Sequence, residues 1–244
     1  MTVPETAAPV PAVPKRIPFV TDIVRLVRVL FSPTAVFEEQ REAPTFWIPW
    51  LIVSILMVGV SMLNFPYTLA MAKLAAAAKG TPFPAAAEGM MRATQFVAVP
   101  LVMLIVLLLI AGVMYVVLLA AGGEVRYKGL LSVAVFSGLL GVLQLVAMYV
   151  VWTLRSHGGE LQTVADYQVS FGLDLLLPQD ASLGKFVDGL LKGISPFSVW
   201  GLLITAFGVR AMERTTKGAA WTAASVSFAL GLVFTAIGNV MNKG

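Results

Sequence analysis

Apolar and polar positions along this chain separate into long blocks. Five apolar runs contain no charged residue: Phe46–Phe65, Phe96–Ala121, Leu130–Leu154, Phe197–Val209 with an apolar approach from Leu190, and Ala219–Met241. A bilayer core about 30 Å thick needs roughly 20 apolar residues in a helix. Four of the runs reach that length outright. The run around Trp200 reaches it only if its helix begins before Pro196 or extends to Met212. The pattern predicts an all-α polytopic membrane protein, with five transmembrane helices over residues 45–244.

Shorter periodicities mark amphipathic segments at the edges. Residues 1–16 hold prolines at 4, 9, 11 and 14 and no apolar core of a signal peptide, so they read as a disordered tail, with the first span as insertion signal. Residues 17–44 read as cytoplasmic or interfacial helices. In the first, Ile23, Val24, Leu26, Val27, Leu30 and Phe31 recur at helical spacing, while Arg25 and Arg28 share the other face. Such a helix can lie in the headgroup layer with its arginines toward anionic phosphates, or pack on the bundle from the cytosol. A second short helix is expected to start at Ser32-Pro33, a good N-cap followed by a good first helical residue. Trp47 and Trp50 suit the membrane interface. Two long connections follow from the spans. One runs from Pro66 to about Gln95 with a helical lead-in to the second span. The other runs from Arg155 to about Ser195 and carries an amphipathic helix, with Leu183, Phe186, Val187, Leu190, Leu191 and Ile194 on one face. That helix packs on the outer rim or serves as a ligand lid. Residues 167–177 are ambiguous between a short helix and an extended piece.

Composition agrees with lipid as the solvent. Mean hydropathy is +0.87, and charged residues make up 12%, about half the share of a soluble domain. The net charge of +4 reads as a topology signal. Ten basic residues fall in the N-terminal region and in the loops around Arg126 and Arg214, and seven on the opposite side. This places the N-terminus in the cytoplasm and the C-terminus outside. No basic cluster with interleaved aromatics suggests nucleic acid.

Catalytic constellations are missing from the sequence. Cys is absent and His157 is the single histidine, so cysteine- or multi-histidine metal sites are excluded. There is no phosphate-binding glycine loop and no nucleophile elbow, and Gly122-Gly123 reads as a helix stop. Glu160, Asp166, Asp174, Asp180 and Asp188 are scattered through the outer loop, without calcium-loop spacing. No ionisable residue lies within a span, which argues against proton coupling. No cofactor, metal or catalytic residue is expected.

One constellation stands out. Ala223, Ser227, Gly231, Thr235 and Asn239 recur every fourth residue in the last span, forming a ridge of small and polar side chains. Such ridges allow close helix approach and interhelical hydrogen bonds. The ridge serves either packing within the protein, or self-association, or contact with a partner's transmembrane helix. Gly231 is expected at a contact where a large side chain would hold backbones apart. Ser137 and Gly141 offer a smaller notch in the third span.

Two stretches carry a family resemblance. The segments Leu30–Phe37 (LFSPTAVF) and Ala43–Trp50 (APTFWIPW) precede the first span, and Ile194–Leu203 (ISPFSVWGLL) precedes Gly208 and a last span led by Lys217. The chain resembles the Yip1-domain family of five-span membrane proteins, most of all its bacterial members, over roughly Val29–Val240. The resemblance implies a bacterial cytoplasmic membrane, a cytoplasmic N-terminus and an outward C-terminus. Eukaryotic members of the family act in vesicle trafficking and engage small GTPases, partly through a longer cytosolic N-terminal region; here that region ends by Pro44. The expected function is a non-enzymatic membrane scaffold or accessory factor, acting through helix–helix contacts with a membrane-protein partner or a second copy, in export or envelope trafficking. The alternative is a small-solute or lipid transporter or scramblase without intramembrane coupling residues. A polar cavity crossing the midplane favours transport; a filled bundle with a lipid-facing ridge favours the accessory role.

Overall fold

In the computed structural model, which describes residues 18–156, 161–178 and 183–241, helices form in the order α1 Pro18–Arg28, α2 Pro33–Gln40, α3 Trp47–Ala78, α4 Ala85–Ala120, α5 Tyr127–Ser137, α6 Leu139–Ser156, α7 Lys185–Gly193, α8 Pro196–Glu213 and α9 Lys217–Met241. No strand occurs among the described residues. The Pro-rich tail, His157, Glu160 and Asp180 lie outside them.

Helices α3, α4, α5–α6 and α9 are each long and apolar enough to cross a membrane, and the pair α7–α8, bent by 60°, meets the same length and hydropathy only when the two helices are taken together as one span. The outward faces of the spans stay apolar: Ile55, Leu109, Val116 and Phe234 are all exposed. Lipid must cover that surface, since water would not stabilise it.

The first two spans differ from the sequence expectation. The connection expected from Pro66 to Gln95 is almost entirely helical. Helix α3 continues through Pro66 for 32 residues and α4 runs for 36, about 48 and 54 Å at 1.5 Å per residue. Both exceed the bilayer core, so the hairpin projects into the headgroup layer and beyond. Proline removes one backbone donor but is tolerated where neighbours re-satisfy the freed groups. The turn needs a left-handed residue, and Gly80 supplies it at φ 66°. Gly80 N–H donates to Ala77 O and Thr81 N–H to Ala76 O, which closes the helix end. Gly122 and Gly123 close α4 the same way onto Leu119 O and Leu118 O, as the sequence predicts.

The third span is two helices abutting at Gly138, whose N–H bonds back to Ala134 O at 3.0 Å. It is the axis of the bundle: 56% of its most apolar window is buried, against 17–28% for the other candidate spans. Leu130, Val133, Val135 and Phe136 have no exposure. Helix α8 starts at Pro196 and extends to Glu213, and it meets the requirements of a span only together with α7 on its N-terminal side. Ser195 caps it by accepting from Ser198 N–H, and a 60° bend separates it from α7.

The α1–α2 layer is built into this core. Phe37 of α2 is fully buried and meets Phe136 edge-on at 5.7 Å. Gly208 of α8 makes room for it: a Cβ there would lie 2.6 Å from Phe37 Cε2. Ser32 precedes Pro33 as expected, although its hydroxyl makes no cap bond. Residues 161–178 fold into two short 3₁₀ turns, Val164–Tyr167 and Leu173–Leu176, pinned to α6 by the Trp152 indole N–H donating to Tyr167 O at 2.9 Å.

Candidate functional site

The ridge on α9 divides among three environments. Ala223 and Ser227 are buried in the helix interface, and Ser227 bonds back to Ala223 O. Gly231 and Thr235 are exposed. Asn239 donates its amide to Lys185 O of α7 at 2.6 Å. The expectation of a close backbone contact at Gly231 is not met, because a Cβ built there meets nothing within 4 Å. The close contact lies one turn away and belongs to the other helix. Gly189 of α7 sits so near α9 that a Cβ would lie 2.6 Å from Ala236 Cα and 2.9 Å from Asn239 Cβ. The amphipathic outer helix is therefore clamped along the end of the last span.

The open part of the ridge faces a groove of about 350 Å³ between α8 and α9. Helix α8 contributes Ser198, Gly201 and Thr205 from one face, at helical spacing. Ser137 and Gln144 of the third span form its back. Ser137 and Thr205 share a hydrogen bond of 3.0 Å, while Gln144 has no hydrogen-bond partner among the described residues. Lys192, at the bend before α8, stands at the rim. No lining residue lies beyond Thr205 on α8 or before Ala224 on α9. Past that level the bundle is filled by Val133, Phe136, Ile204, Val209 and Met212, each 1% exposed or less. The groove wall is mostly apolar, from Ile110, Leu202, Phe228 and Leu232, with a line of hydroxyls and one amide set into it, and its lining ends at mid-bundle. Its floor offers hydroxyls and one amide but no charge, so its chemistry is hydrogen bonding, without a nucleophile–base pair. Gly141, the other half of the expected notch, faces α3: a Cβ built there would lie 3.4 Å from Met57 Cε.

Arg25 and Arg28 are engaged within the protein. Arg25 pairs with Asp22 at 3.2 Å and reaches Glu39 at 3.8 Å, and Arg28 pairs with Glu39 at 2.8 Å. Asp22 is 1% exposed and also accepts from the Thr45 hydroxyl. Thr45 and Ser132 both donate to Gln40 Oε1, tying α1, α2, the start of α3 and α5 into one polar knot. The free face of α1 is apolar, with Phe19, Val20, Val24, Val27 and Phe31 exposed.

At the opposite end of α8 from the groove mouth, sequence reasoning missed a charged cluster. The Glu213 carboxylate is 98% buried, accepts from Arg126 N–H at 2.8 Å and lies 3.5 Å from Arg126 Nε. It sits at the N-terminus of α5, where negative charge is favoured by the helix dipole. Arg41 Nε donates to Ala211 O at 2.7 Å and Arg126 to Met212 O at 3.3 Å, capping the last carbonyls of α8. The available signal was a lone acid within a basic loop, Arg210 to Lys217, facing the basic loop at Arg126. In the outer loop, the Thr163 hydroxyl and backbone hold Asp166 below the ordinary carboxyl pKa of 3.8. Among the described residues no three of His, Asp and Glu converge to hold a metal ion.

The profile of the Yip1 domain family matches residues 27–238. The chain belongs to the Yip1 domain family. It is also similar to "Membrane protein YknW" of Bacillus subtilis (strain 168), at 26% identity over 227 residues, covering 91% of this chain and 93% of that protein. No solved structure matches the chain. The matched span begins within α1 and ends near the C-terminus of α9, so the α2 wedge, the clamp of α7 on α9 and the groove all fall inside the Yip1 region.

Proposed function

We propose that this Yip1-family protein is a non-enzymatic scaffold or accessory factor of the bacterial cytoplasmic membrane, with its N-terminus in the cytoplasm and its C-terminus outside. It acts by seating a transmembrane segment of another membrane protein against the groove between α8 and α9, in export or envelope trafficking. The observation that carries this reading is the groove: hydroxyls and the unpartnered Gln144 amide open sideways, with a filled core beneath. In hydrocarbon, an unpaired amide favours a polar group on an incoming helix. A transporter or scramblase would draw on the same hydroxyls and amide but would need a path past the level of Val133, Phe136 and Ile204, which are buried.

Site-specific photocrosslinkers at Leu202 and Phe228, both groove-lining, are expected to capture a discrete membrane protein in native membranes. A crosslinker at Val150, on the exposed face of α6, is expected to give lipid adducts only. Thr235→Leu, which fills the groove, should abolish the groove adducts while the protein still assembles. Adducts that persist in Thr235→Leu, or lipid adducts alone at all three positions, would refute the scaffold reading. Scrambling of fluorescent lipid by the purified protein in vesicles would favour the transporter.

A further inference from the structure

We propose that the arginine-lined pocket at the C-terminal end of α8 binds the phosphate of an anionic phospholipid. The pocket is about 350 Å³ and lies between α2 and the α8–α9 connection, within the range of roughly 300–1000 Å³ that holds small ligands. Arg41, Arg210 and Arg214 line it against a single carboxylate, that of Glu38. Arg41 is already committed to Ala211 O, with Glu38 3.9 Å away. Arg214 reaches only Glu42, at 3.7 Å and with both side chains mostly exposed. Arg210 is exposed and makes no ion pair or hydrogen bond among the described residues. Two guanidiniums are thus free or loosely held, and a planar guanidinium fits a phosphate with two parallel hydrogen bonds.

Two further observations point to the same occupant. Thr215 lines this pocket, and its hydroxyl is turned away from solvent with no hydrogen-bond partner. A rotation about Cα–Cβ would bring that hydroxyl to the pocket, where a phosphate oxygen would satisfy it. Phe207 also lines the pocket, one turn deeper into the membrane, and stands edge-on to Trp221 at 6.2 Å. This aromatic pair supplies an apolar wall where the glycerol and first methylenes of a lipid would run, at the depth where such residues prefer to sit. The negative end of the α8 dipole would oppose an anion, but Arg41 and Arg126 already cover the carbonyls of Ala211 and Met212. Basic pockets between transmembrane helices are suited to anionic headgroups. Arg25 and Arg28 are paired with Asp22 and Glu39, which leaves this pocket the less neutralised of the two basic sites.

The test uses the full chain in neutral detergent, with a fluorescent phosphatidylglycerol as probe and phosphatidylglycerol, phosphatidylcholine and inorganic phosphate as competitors. Phosphatidylglycerol is expected to compete about tenfold better than phosphatidylcholine, and inorganic phosphate not at all in the millimolar range. Arg210→Gln, which removes no contact within the protein, should weaken binding several-fold, and Arg210→Gln with Arg214→Gln about tenfold or more. Thr215→Val should weaken it without altering the elution profile or helix content. Arg25→Gln with Arg28→Gln should leave it unchanged. Equal competition by the two lipids, unchanged affinity in Arg210→Gln, or an equal loss in the α1 variant would overturn the proposal. Competition by inorganic phosphate as strong as by phosphatidylglycerol would reassign the pocket to free phosphate and overturn the lipid assignment.

Discussion

Gly189→Ala and Gly231→Ala are expected to act in opposite directions, although both place one methyl group on the α7–α9 region. At Gly189 the methyl would lie 2.6 Å from Ala236 Cα and 2.9 Å from Asn239 Cβ. Ordinary carbon contact is at about 3.5–4.0 Å, so α7 must move off α9 by about 1 Å. The neighbour is backbone of a membrane-spanning helix and cannot rotate away. Overpacking of this kind costs about 1–3 kcal/mol. The same movement stretches the Asn239 bond to Lys185 O, worth about 0.5–1.5 kcal/mol net. The better helix propensity of alanine offsets at most about 1 kcal/mol, leaving a net destabilisation of about 1–3 kcal/mol. At Gly231 nothing lies within 4 Å, so only the propensity term remains and the change is neutral or slightly stabilising. Thermal unfolding in detergent should separate the two variants, and amide exchange over residues 185–193 should accelerate only in Gly189→Ala. If Gly189→Ala were as stable as the parent, or Gly231→Ala equally damaging, the assignment of the close contact to α7 would be wrong.

Three other outcomes follow from the same geometry. Phe37→Ala removes a fully buried ring and should cost about 3–5 kcal/mol, whereas Phe31→Ala, at an 80% exposed position, should stay within about 0.5 kcal/mol; equal melting temperatures would show that α2 is not part of the core. Asp166 has its folded pKa lowered, so the order it lends the outer loop is present above the ordinary carboxyl value of 3.8 and is lost as pH falls below it; amide exchange at Gln162, Thr163 and Asp166 should rise on acidification, and Asp166→Asn should remove that dependence. Reporter fusions near Arg126 and Lys217 should read as cytoplasmic and a fusion after Met241 as external, and a cytoplasmic C-terminus would remove the five-crossing arrangement.

What the sequence determined by itself was the polytopic membrane character, the all-helical class and the Yip1 resemblance. These depend on one-dimensional quantities: run length against bilayer thickness, charge placement, and Pro, Trp and Gly at helix ends. The glycine stop after α4 was legible for the same reason, since caps are local. Continuation of α3 through Pro66 was not, because a proline's effect depends on whether neighbours satisfy the freed carbonyl. The partners of polar groups were decided only in three dimensions. The sequence places Arg25 and Arg28 on one face of α1, and only the fold shows that Glu39, from the next helix, stands 2.8 Å from Arg28. Gly231 looks like a contact, but only the fold of α7 back onto α9 shows that the close approach is at Gly189. The every-fourth spacing identifies a face of α9 but not what covers it. Tertiary packing splits that face into a buried stretch, an open groove wall and a clamp, because neighbouring helices cross it at an angle and cover only part of its length.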